Sequence, residues 1–149
     1  MVELWDKRGI TTIVEQIRHY YHIGMLSNDD ALMLIERLSD LIDLLEKMLK
    51  TGSRTLDVDN KNMEVYFNPI PSPNWFYIVD SETIKYVQAV FDTPNSLITF
   101  NSDIFESGKR RFEAQRQQAH LISNAGTVQR RKLFDFYRKQ LVKLELEIE

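Results

Sequence analysis

SDIFESGKRRFEAQRQQAHLISNAGTVQRRKLFDFYRKQLVKLELEIE, residues Ser102–Glu149, is the stretch from which the rest of the chain can be placed. It divides at Ser123-Asn124-Ala125-Gly126. Ahead of that point the apolar positions are sparse: Ile104, Phe105, Phe112, Ala119, Leu121 and Ile122, with Gly108 and Gln115 between them. Beyond it Phe134, Tyr137, Leu141, Leu144 and Ile148 recur at spacings of three, four, three and four. Extending the first seam by heptads reaches Gly126, Gln129, Leu133 and Phe136, one residue out of phase with the second. One straight helix would therefore present two different faces. The spacing predicts two long helices with a turn near Gly126; a single rod with a stutter is the alternative. Helices with so little apolar surface pack on the rest of the chain or on another subunit. Phe134, Tyr137, Leu141, Leu144 and Ile148 are accordingly read as a partner or oligomer interface.

The same stretch concentrates the positive charge. From Asn101 onward there are ten Lys and Arg against seven Asp and Glu, whereas the first hundred residues hold nine against fifteen. Lys109, Arg110, Arg111, Arg116, Arg130, Arg131 and Lys132 can neutralise phosphates, and Gln115, Gln117 and Gln118 can add hydrogen bonds. They form the candidate anion or nucleic-acid contact. A basic helical tail on an acidic body can equally dock on the acidic body of a neighbouring subunit. No helix-turn-helix or other reader motif accompanies the cluster, which sets protein partners ahead of nucleic acid.

Upstream, Thr12-Ile13-Val14-Glu15 has the form of a capping box. It predicts a helix with Ile13, Ile17, Tyr20 and Tyr21 on one side, ending near Gly24. Ser27 or Asn28 caps a second helix, with Asp29 and Asp30 at its positive end and Lys47 and Lys50 at its negative end. Leu34, Ile35, Leu38, Leu41, Ile42, Leu45, Met48 and Leu49 follow the 3.6-residue period. The short link between these helices makes them an antiparallel hairpin. After Gly52 the period falls to two: Leu56 and Val58, then Met63, Val65 and Phe67, flank Asn60-Lys61-Asn62 and predict a β-hairpin. Three prolines between Asn68 and Asn74 require an extended segment. Trp75–Val79 reads as a strand, Ile84, Val87 and Phe91 as one side of a short helix capped by Asp80 or Ser81, and Leu97–Phe100 as a further short strand. The expected fold is a helix-rich α+β single domain over residues 1–149. It comprises a helical hairpin (1–52), a small antiparallel sheet with one short helix (53–100) and a C-terminal helical pair or rod (101–149).

A chain of 149 residues can bury a core of its own. It has no cysteine, which excludes a disulfide scaffold, a Cys-ligated zinc site and a thiol nucleophile. Glu3 and Asp6 stand where a secretory signal needs positive charge, and no apolar run approaches about 18 residues. The expected compartment is cytoplasm, bacterial or host, with no membrane partner. His19 and His22 lie three apart on a helix, but a metal site there would need acidic ligands from elsewhere. Asp57–Asn62 imitates a calcium loop and fails at Lys61, at Asn62 in place of the turn glycine, and at Asn68 in place of the bidentate Glu. Trp75-Phe76-Tyr77 reads as core before docking patch. Phosphate loops, G-x-G-x-x-G and nucleophile elbows are absent from a sequence with five glycines. No catalytic, metal-binding or cofactor-binding residue and no small-molecule substrate is identified.

The sequence points to a non-enzymatic assembly protein that oligomerises through its C-terminal helices, as a component of a phage-like virion or other multi-subunit particle. Its partners would be copies of itself or other subunits. The alternative is a small nucleic-acid-binding or regulatory protein using the basic helices.

Overall fold

The computed structural model describes residues 2–51, 64–68, 75–80, 82–90, 96–123 and 127–148. In chain order these form β1 (Val2–Trp5), α1 (Arg8–His22), α2 (Asn28–Thr51), β2 (Glu64–Phe67), β3 (Trp75–Asp80), β4 (Lys85–Val90), β5 (Ser96–Thr99), α3 (Ser102–Gln118), β6 (His120–Leu121) and α4 (Thr127–Ile148). The fold is α+β and rich in helix, as expected. Two compact units are present: a helical unit, Met1–Pro69 with His120–Glu149, and a sheet unit, Ile70–Ala119. Residues 101–149 are thus split, α3 belonging to the sheet unit and α4 to the helical unit. Among the described residues, no helix is long and apolar enough to cross a membrane.

In the helical unit, α1 starts at Arg8, one turn before the capping box expected at Thr12. Asp6 Oδ1 accepts from the Arg8 backbone N–H at 2.8 Å, satisfying one of the free donors at the helix start. The earlier start draws Ile10 inward: Ile10, Val14 and Ile17 are buried, whereas Ile13 and Tyr20 face out. The helix ends as its glycine predicts. Gly24 adopts φ 75°, Met25 N–H donates to Tyr20 O and Gly24 N–H to Tyr21 O, which is the Schellman arrangement. A capping box opens α2: Ser27 Oγ accepts from Asp30 N–H at 3.1 Å, and Asp30 Oδ2 accepts from the Ser27 hydroxyl. From α2, Ala31, Ile35, Leu38, Ile42 and Leu49 are buried, and Leu34 and Leu45 pack half-buried against them.

β2 lies between β1, parallel, and β6, antiparallel. Val2, Leu4 and Trp5 oppose Glu64, Tyr66 and Phe67, and Tyr66 and Phe67 oppose Leu121 and His120. Val65 and Phe67 turn inward and Glu64 outward, the alternation read from sequence. The expected hairpin partner, Leu56–Val58, lies outside the described residues, as do the calcium-like Asp57–Asn62, the prolines after Asn68 and the side chains of Trp75, Phe76 and Tyr77. The partners that β2 shows are brought from both chain ends. β6 is secured beyond its two residues: Ile122 N–H donates to Val65 O at 2.8 Å, and buried Ser123 Oγ accepts from Val65 N–H at 3.0 Å.

The sheet unit is the antiparallel meander β3–β4–β5 with α3 packed on it. The short helix expected over Ile84–Phe91 is corrected: Lys85–Val90 is the strand β4, paired along its length with β3. Three apolar residues at helical spacing were outweighed by Tyr86, Val87 and Val90, which suit a pleated strand with a neighbour on each side. Val87 is buried where Gly108 brings α3 close; a Cβ on Gly108 would stand 3.1 Å from Val87 Cγ2. Asn101 Oδ1 accepts from the Asp103 and Ile104 backbone N–H groups and caps α3. α3 stops at Gln118 because Ala119 is extended, at φ −90° and ψ 160°. The rod alternative is thereby removed, since the strand β6 follows α3; the expected turn near Gly126 lies outside the described residues.

Candidate docking surface on the helical unit

The five residues read as an interface are interior. Phe134, Tyr137, Leu141, Leu144 and Ile148 are each at most 4% exposed, in one core with α1, α2, β2 and Ile122. The heptad-like spacing was real, and it packs on the same chain. The Phe134 and Tyr137 rings meet edge to face, and the Tyr137 hydroxyl donates to Asp6 O at 3.2 Å. Burial, with the Asp6 charge adding to it, pushes the Tyr137 phenol well above the ordinary tyrosine range.

The seven basic candidates are divided between the two units. Lys109, Arg110, Arg111 and Arg116 lie on α3 in the sheet unit, where Lys109 is ion-paired to Asp80 and Arg116 to Glu113. The hydrogen bond and charge of Asp80 raise the Lys109 pKa, and Lys109 in turn lowers that of Asp80. On α4, Arg130 is buried and its Nη1 donates to Ile122 O at 2.7 Å, bracing the chain that leaves β6. Arg130 is therefore a structural residue rather than an anion contact. Arg131 and Lys132 are exposed, as are Lys139 and Lys143 on the same helix.

α2 and α4 pack side by side and leave a groove of about 760 Å³ between them. Leu32, Ile35 and Leu141 contribute its apolar lining, with Met33 on α2 and Val142 on α4. These last two are 50% and 54% exposed. Asp29, Glu36 and Asp40 from α2 and Glu145 from α4 also line it. The cation of the groove, Arg138, is already committed: its guanidinium meets Asp43 Oδ1 at 2.7 Å and Glu46 Oε2 at 2.6 Å, which raise its pKa. Ile35 and Leu141 were legible as members of separate apolar stripes, but the groove was not, since it requires knowing which two helices touch.

His19 and His22 are exposed beside Tyr20 and Tyr21. Among the described residues, no three His, Cys, Asp or Glu side chains are grouped to hold a metal ion. Comparison with known protein families, curated proteins and solved structures gave no match for this chain.

Proposed function

We propose that this chain is a non-enzymatic assembly protein whose helical unit docks on further subunits, copies of itself first among them. A phage-like virion or comparable multi-subunit particle in a cytoplasm is the setting that suits it. The observation that carries the reading is the α2–α4 groove, where Met33 and Val142 stand half-exposed above a lining of Leu32, Ile35 and Leu141. Apolar side chains gathered in a groove and rimmed by charge have the character of a helix-docking surface. Outward-facing Leu41, Leu44 and Leu146 extend the apolar area on the same two helices. The role given to α4 passes from its buried seam to its outer face.

Light scattering on a sizing column, at low and at moderate salt, tests this reading. It requires a defined oligomer larger than the 17.6 kDa chain in at least the low-salt buffer. A monomer in both, up to high protein concentration, refutes self-assembly.

A second reading, nucleic-acid binding, is favoured by the exposed α4 cations Arg131, Lys132, Lys139 and Lys143. Its test is duplex and single-stranded nucleic acid titrated at several salt concentrations. Phosphate neutralisation by four cations gives a steep loss of affinity with salt, and a flat or absent response rejects it.

A further inference from the structure

We propose that the occupant of the α2–α4 groove is the outer face of α4 from a second copy of the chain. The inference rests on the assembly reading above and adds the partner and the contact. Two rows of charge carry it. Asp29, Glu36 and Asp40 follow one another on α2 at intervals of seven and four residues, which puts all three on one side of the helix along the groove. Lys132, Lys139 and Lys143 follow one another on α4 at the same intervals of seven and four, again on one side. At about 1.5 Å per residue, each row has charges about 10 Å and about 16 Å from its first member.

All six side chains are exposed, and none of them makes an ion pair or side-chain hydrogen bond among the described residues. Lys143 also acts on the Glu147 carboxylate four residues on, and the other five charges have no such partner among those the structure pairs. The intervals coincide when the partner's α4 runs in the same direction as this α2, so three Lys–carboxylate pairs form in one register. In the reverse direction the outer two pairs still align, and the middle Lys is displaced by about one helical turn. Apolar contacts fit the same arrangement. Val128, Val142 and Leu146 are exposed on the lysine side of α4, at positions that would meet Met33 and the groove lining. A copy carries both the acidic groove and the basic row, so each chain supplies the chemistry the other requires. Since the paired charges are at the surface, the contact weakens as salt shortens the screening length to about 10 Å at 0.1 M and less above it.

The test is a charge swap read by mass. One variant carries Glu36→Lys and Asp40→Lys, the other Lys139→Glu and Lys143→Glu. All four positions are exposed, so circular dichroism should match the wild type. The wild type is expected to be oligomeric at low salt and to dissociate as salt rises. Each variant alone is expected to run as a monomer, because like charges then face each other. An equimolar mixture should recover the wild-type mass, because every contact between unlike chains is again complementary.

If both variants keep the wild-type mass, or if two folded monomeric variants fail to associate when mixed, the inference is overturned while assembly stands. If only the groove variant dissociates, a different cationic segment fills the groove, and the inference again falls. A wild type that is monomeric throughout removes the assembly reading, and this inference with it.

Discussion

Leu144→Ala distinguishes a core residue from an interface residue. The side chain is fully buried within the helical unit. Truncation removes three carbons, a loss of about 2.4 kcal/mol at about 0.8 kcal/mol each. The space left behind adds about 1–2 kcal/mol at roughly 24 cal/mol per Å³, depending on how far the neighbours relax. The total is about 3–4 kcal/mol. With a urea slope near 2 kcal/mol per molar, the unfolding midpoint should fall by about 1.5–2 M. Leu146→Ala, two residues on and 69% exposed, should shift stability by no more than about 0.5 kcal/mol. The assay is urea unfolding followed by far-ultraviolet circular dichroism, which reports mainly on the helices, with mass in solution measured beside it. A Leu144→Ala protein that unfolds at the wild-type midpoint but loses its oligomer would return the seam to the interface and refute the packing described above.

Two further outcomes test individual residues. The raised pKa of Tyr137 means the folded protein holds that proton more tightly than the unfolded chain does. Stability should be unaffected by this group below about pH 10, the ordinary tyrosine value, and decline above it by up to about 1.4 kcal/mol per pH unit. Tyr137→Phe should cost about 1 kcal/mol at neutral pH through the lost bond to Asp6 O and should remove its share of the alkaline decline. Urea midpoints across that pH range would show it, and an unchanged alkaline slope would count against the burial of the phenol. Arg130→Ala should destabilise by about 1.5–3 kcal/mol, the worth of a charged hydrogen bond to Ile122 O, and leave any nucleic-acid affinity unchanged. A drop in affinity at equal stability would make Arg130 a contact after all.

Several signals that depend only on near neighbours were read correctly. The helix stop at Gly24, the cap at Ser27 and the inward set Ile35, Leu38 and Ile42 depend on groups a few residues apart, so the sequence carries them directly. The alternation of Val65 and Phe67 marked a half-buried strand for the same reason. Where two local signals competed, the weaker won the reading: Ile84, Val87 and Phe91 fit a helix, but pairing with β3 and β5 decided for a strand. Thr12 misled because a capping box resembles any Thr and Glu three apart inside a helix.

What lay beyond local reach was which apolar stripe meets which. Val2–Trp5 has apolar residues at alternate positions, yet all four are only half-buried, and the strand exists through a parallel pairing with residues more than sixty positions away. Spacing alone identifies a helix with one apolar side and cannot state whether that side closes on its own chain or on another. For Phe134–Ile148 the answer depended on α1 and α2 arriving at the same place. The basic cluster shows the same divide. Its charges were fixed by sequence, whereas chain folding buried Arg130, paired Lys109 and Arg116, and left Lys132 to join Lys139 and Lys143. By itself the sequence determined the four helices, the cap at Ser27 and the stop at Gly24, and the charge each segment carries, because these arise from neighbours along the chain. The tertiary structure alone decided which faces were spent on the core and which remained outward, because burial is set by contacts between residues far apart in sequence.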